Sequence, residues 1–164
     1  MDAHSPADTG VMTRRTLGWI LVLIQFALLL VLVLLPWRAP SLLSLAIGIP
    51  IAAAGAVLGL TAGRRLGRAL TPTPVPISGA GLRTDGAYAY VRHPIYSAVL
   101  LMVCGYVIAI GSVWSLACAM VMVVFFVLKS RWEDGLLRGE YGDEWVAWAT
   151  RTGALIPRPT RGGR

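Results

Sequence analysis

Charged side chains are absent from three long stretches of this chain. Leu17–Leu35 runs 19 residues without a charge and is interrupted by a single strongly polar group, Gln25. Ser44–Ala62 is a second run of 19, carrying Pro50 among several Gly and Ala. Ile95–Leu128 extends over 34 residues, too long for one ordinary span, and Gly111-Ser112 near its middle offers a tight turn. Two helices of about 17 residues follow, each covering about 25 Å at 1.5 Å per residue against a bilayer core of about 30 Å. The pattern predicts an all-α integral membrane protein with four transmembrane helices at about 17–35, 44–62, 95–111 and 113–128.

The composition agrees. Charged residues make up 14% of the chain, against about 25% in an ordinary soluble domain. Arg14 and Arg15 precede the first span; Arg64, Arg65, Arg68, Arg83 and Arg92 follow the second. Lys129, Arg131, Arg138, Arg151, Arg158, Arg161 and Arg164 lie beyond the fourth. Arg38 alone falls on the other side. The positive-inside rule therefore puts both termini and the central loop in the cytoplasm, with the cell inner membrane as the expected location. The same distribution explains the net charge of +7. Basic residues flank spans instead of forming a patch on a soluble fold, which argues against a nucleic-acid partner. The first apolar run is longer than a typical signal-peptide core and has no small-x-small site before Pro36-Trp37, so it reads as a retained helix.

The 164 residues suit one domain. Residues 1–13 are polar and expected to be disordered, 14–159 form the membrane domain, and 160–164 are a loose tail. The loop at 64–94 holds Pro72, Pro74 and Pro76, which favour an extended course. Gly79, Gly81 and Gly86 then permit turns. Beyond the fourth span, Lys129, Glu133, Leu137 and Tyr141 share one helix face. Gly142 is placed to end that helix and Asp143 to cap a short one carrying Trp145 and Trp148. Cys104 and Cys118 lie inside spans with no ligand spacing around them, so no metal is expected.

Candidate chemistry concentrates at Arg92-His93-Pro94-Ile95-Tyr96. Proline favours the first turn of a helix, so Pro94 opens the third span with His93 and Arg92 at its N-terminus. That end carries partial positive charge and free N–H groups, suited to a carboxylate or another acceptor. If the hairpin closes at Gly111-Ser112, Glu133 returns to about the level of His93. The acid could receive an ammonium group or pair with Arg92 or Lys129. Lys129, one turn nearer the bilayer, could hold an anionic head group. Each of these residues also admits a plainer reading as an interfacial anchor or a snorkelling ion pair.

The ordered set Gly86-Ala87-Tyr88-Ala89-Tyr90-Val91-Arg92-His93-Pro94-Ile95-Tyr96, Glu133-Asp134, Leu137, Tyr141-Gly142, Trp145, Trp148 and Ile156-Pro157 resembles the isoprenylcysteine carboxyl methyltransferase family. The wider group includes phospholipid N-methyltransferases. The resemblance covers about residues 79–158. It implies a small membrane enzyme that uses S-adenosylmethionine and releases S-adenosylhomocysteine, with a cytoplasmic loop and a C-terminal helical segment enclosing the cofactor pocket.

Carried over residue by residue, the resemblance implies cofactor binding by Gly81, Leu82, Arg83, Tyr88, His93, Pro94, Ile95, Tyr96 and Glu133. It implies substrate binding by Lys129, where the family has arginine, with Arg92 beside it. His93 and Tyr96 are the candidates for proton transfer. The expected partners are membrane lipids and a lipophilic acceptor bearing a carboxylate, amine or hydroxyl, and the sequence selects neither among these nor an oligomeric state. Two other readings stay open: an NADPH-dependent membrane reductase of the sterol type, and a non-catalytic membrane protein.

Overall fold

A computed structural model describes residues 6–67, 71 and 81–158. Among the described residues every regular element is helical. Helix α1 spans Pro6–Leu34, α2 Leu42–Leu66, α3 Pro94–Ile110 and α4 Val113–Arg151, with a short 3-10 turn at Gly86–Ala89 before α3. The four expected spans fall on these four helices. Three of them, α1, α2 and α4, are long and apolar enough to cross a bilayer, while α3 is a shorter apolar helix of 17 residues. Helix α1 starts inside the segment expected to be disordered. Pro72, Pro74, Pro76, Gly79 and the tail at 160–164 lie outside the described residues.

Local chemistry explains the helix ends. Ser41 and Ser44 form a reciprocal capping box at the start of α2. Pro94 occupies the first turn of α3 with His93 as its N-cap, as its fixed φ and missing N–H favour. Ser112 closes the α3–α4 turn by accepting from the Ser115 amide.

Helix α4 is 39 residues long, which at 1.5 Å per residue is about twice the thickness of a bilayer core. Its second half therefore projects out of the membrane. The expected break is present at Gly142, whose φ of 53° is left-handed and open to glycine at little cost.

Small residues bring α2 and α3 together. A Cβ on Gly105 would lie 2.5 Å from the Gly48 carbonyl oxygen and from the Ala52 amide nitrogen. Association of helices in lipid rests on such close backbone approach, because lipid chains are as apolar as the side chains. Helix α1 joins through Leu32, which packs into a core of Val103, Cys118, Met122 and Phe126 from α3 and α4. The remaining apolar faces, including Leu23, Phe26, Leu30, Leu60 and Val124, point outward, as a lipid solvent permits.

Candidate functional site

The hairpin geometry delivers the convergence expected from the sequence. His93 ends the loop before α3, and Glu133 and Asp134 lie on α4 just beyond its apolar section. Tyr96 Oη donates to Glu133 Oε2 at 2.6 Å, and His93 Nδ1 lies 3.5 Å from the same oxygen. On its other side, His93 Nε2 meets Asp134 Oδ1 at 2.9 Å. The imidazole thus bridges two consecutive carboxylates and stacks against the Tyr96 ring.

Burial alone would lower the pKa of His93. The hydrogen bonds and charges of Asp134 and Glu133 overcome that and raise it to about 9. His93 is therefore an imidazolium at neutral pH, with both N–H groups directed at acids. For Asp134, burial would raise the carboxyl, but its bonds to His93 and Arg92 hold it below the usual carboxylate range. Tyr88 is pushed above the normal phenol range by burial and by the charge of Glu133.

Arg92 takes the other edge of Asp134. Its Nε lies 3.1 Å from Oδ1, its Nη2 lies 2.9 Å from Oδ2, and its Nη1 donates to the Thr152 carbonyl at 2.8 Å and to that of Ala149 at 3.3 Å. The guanidinium also sits over Trp145, 5.7 Å from the ring centre. A planar fork with several fixed donors suits this clasp. Arg92 thus fastens the end of α4 to the start of α3.

The C-terminal segment is tied down further by backbone. Val91 and Gly153 form a parallel bridge, with Arg92 N donating to Gly153 O at 2.8 Å and His93 N to Ala154 O at 3.0 Å. Ser97 Oγ donates to Leu155 O at 2.6 Å. Trp148 Nε1 donates to Tyr88 O at 2.9 Å, so the helix after Gly142 closes over the loop that precedes α3. Tyr88, Trp148 and Ala62 form a small core against which Leu66, Leu82, Ile95 and Trp145 pack.

Lys129 is only 3% exposed and directs its ammonium to Gln25 Oε1 of α1, 2.6 Å away. The same nitrogen lies 4.8 Å from the centre of the Tyr96 ring. Two interactions weighed in the sequence are thus not made. Glu133 pairs with neither Arg92 nor Lys129; it takes Tyr96 and His93.

Of the residues singled out, the fold brings Arg92, His93, Tyr96, Lys129 and Glu133 into one continuous cluster, with Tyr88, Pro94 and Ile95 on its margin. Gly81 and Arg83 are exposed, and an added Cβ at Gly81 would meet nothing within 4 Å. Asp134 and Gln25 are members that sequence reasoning did not assign. Asp134 stood beside the acid already noticed. Gln25 was the one strongly polar residue in its span, a signal in its own right.

Two details bear on what the cluster can hold. Glu133 Oε2 is engaged, but among the described residues Oε1 has no partner, and the side chain is 21% exposed. Among the described residues, the buried Trp145 Nε1 has no hydrogen-bond partner. A separate cleft of about 620 Å³, lined by Arg38, Ser41, Ser44 and Ser112 among others, lies at the Gly111-Ser112 end of the hairpin. That is the end remote from Glu133, so it is not the cofactor pocket expected from the sequence.

A family model for phospholipid methyltransferases matches residues 43–144. Among solved structures, the chain is similar to a eukaryotic intramembrane Ras methyltransferase, isoprenylcysteine carboxyl methyltransferase, solved without a monobody. The TM-score is 0.64 at 22% identity, covering 96% of this chain and 54% of that one. This chain thus spans about half the length of that protein, with which it shares a fold. No curated protein matches it.

Proposed function

Since this chain belongs to the phospholipid methyltransferase family, we propose that it is an integral membrane enzyme that methylates a lipophilic acceptor with S-adenosylmethionine. The observation that carries the reading is Glu133, a carboxylate with one oxygen held by Tyr96 and His93 and the other without a partner among the described residues.

The donor set fits such a cofactor. Glu133 would hold its ammonium group. The aromatic rings of Tyr88 and Trp145 beside Glu133 would favour its sulfonium, since aromatic faces attract cations. The indole N–H of Trp145, without a partner among the described residues, would supply a donor for a polar edge of the ligand. When bound, the cofactor supplies a methyl group already activated by positive sulfur, and S-adenosylhomocysteine is the product.

The chain's own work is then orientation more than proton transfer. Aligning reactants can supply on the order of 7–11 kcal/mol of the barrier in favourable cases. His93, charged and bonded to two acids, positions Glu133 and has no free lone pair to act as a base. Tyr96 fixes the other approach to the same oxygen. The clasp of Arg92 on Asp134 and the Trp148–Tyr88 bond close the C-terminal helix over the site. A carboxylate acceptor needs no base. We assign the acceptor's entry to the bilayer side, where Lys129 and Tyr96 face the helices, and cofactor entry to the cytoplasmic side of the inner membrane.

Calorimetry in detergent tests this. S-adenosylhomocysteine should bind the wild-type protein and NADPH should not. Glu133→Gln should weaken S-adenosylhomocysteine binding roughly 10–100-fold through loss of one charge-assisted contact. Binding of NADPH, or an unchanged affinity in Glu133→Gln, would overturn the reading.

A further inference from the structure

Lys129 and Glu133 are four residues apart on one helix face, the spacing at which oppositely charged side chains ordinarily meet. Among the described residues they form no ion pair with one another. The ammonium is turned instead to Gln25, across the interface between α1 and α4. An ammonium has no acceptor, so it must be the amide oxygen of Gln25 that faces it. Helix α1 lies wholly before the region matched by the family model, residues 43–144, so this contact comes from outside that region.

We propose that Gln25 is a positioning residue of the cofactor seat: it holds the Lys129 ammonium away from Glu133 and so keeps Glu133 Oε1 free for the ligand's ammonium group. The identity of that ligand rests on the function proposed above, whereas the diversion of Lys129 does not. Lys129 is buried and needs an acceptor. With Gln25 present, that need is met 2.6 Å away. Without it, the remaining strong acceptor within reach along α4 is Glu133, and the ligand's cation would then compete with a tethered one. The Tyr96 ring, 4.8 Å from Nζ, favours the cation but offers no lone pair to replace the amide.

The test compares the wild type, Gln25→Leu and the double variant Gln25→Leu/Lys129→Met, with two readouts. The first needs no ligand. NMR titration of His93, assigned in a His4→Ala background, reports the charge around Glu133. The imidazolium faces Glu133 and Asp134, with Arg92 and Tyr96 beside them and Lys129 one turn away. In Gln25→Leu, Lys129 neutralises Glu133 and His93 titrates lower than in the wild type. In the double variant, which lacks the cation, the titration returns to the wild-type value or above it. The second readout is calorimetry with S-adenosylhomocysteine, for which Gln25→Leu weakens binding roughly tenfold and the double variant restores it.

An unchanged His93 titration in Gln25→Leu would overturn the proposal. So would a change that the double variant fails to reverse, since that would mark a merely structural loss. If the titration shifts and reverts as expected but no protein binds S-adenosylhomocysteine, the positioning by Gln25 stands and the cofactor assignment falls.

Discussion

Tyr96 and Glu133 are joined by a 2.6 Å hydrogen bond between the first turn of α3 and the extension of α4. Removing the hydroxyl while keeping the ring isolates its part in the site. Tyr96→Phe should cost about 1–2 kcal/mol of stability, because Glu133 keeps His93 but loses a donor. The acid should also become freer to turn, weakening S-adenosylhomocysteine several-fold, read by calorimetry beside a thermal melt in the same detergent.

Arg92→Lys should be far from conservative. One ammonium cannot reach Asp134 and the Ala149 and Thr152 carbonyls together, as the fork of Arg92 does. A loss of about 2–4 kcal/mol is expected from breaking a mostly buried pair. Limited proteolysis should show early cleavage near Gly142, as the C-terminal helix detaches before the hairpin unfolds.

The pH dependence follows from His93. Its pKa is raised from 6.5 in an ordinary setting to about 9 in the fold. The stabilisation is therefore complete below about pH 6.5, declines above that, and is lost as pH rises through 9. The total is on the order of 3 kcal/mol. Asp134, lowered in the fold, acts in the opposite sense, its contribution being lost on acidification. Melting temperatures from pH 6 to 10 should fall on the alkaline side, and His93→Gln should flatten that limb.

Gly105→Val tests the scaffold beneath the site. The branched side chain would press on the backbone of Gly48 and Ala52, which cannot move aside without parting α2 from α3. Such overpacking costs about 1–3 kcal/mol or more. The yield of monodisperse protein should drop sharply, whereas Gly139→Ala, at a position where an added Cβ meets nothing within 4 Å, should leave the yield unchanged.

Much of this was legible in the chain. Charge-free runs of bilayer length set the four helices, Pro94 and Gly111-Ser112 marked the hairpin ends, and Gly142 marked the break in α4. Each is a local effect of solvation or backbone freedom, written in neighbouring residues. The convergence of His93 with Glu133 was also within reach, since two antiparallel helices joined by a tight turn must bring those ends level.

The partners within that convergence were not. Glu133 and Asp134 are adjacent and nearly alike, yet one takes Tyr96 and His93 while the other takes His93 and Arg92. Rotation of α4 about its axis decides which acid faces which group, and packing sets that rotation. Lys129 could not be assigned to Gln25, because 104 residues separate them and only the docking of α1 on α4 closes the distance. The C-terminal strap at Gly153 and Ala154 pairs through backbone atoms, which carry no residue-specific mark. Sequence alone determined which segments enter lipid and where they turn, because transfer free energy and backbone propensity are local. Tertiary structure decided which polar groups meet, because hydrogen bonds are directional and depend on how separate helices are rotated against one another.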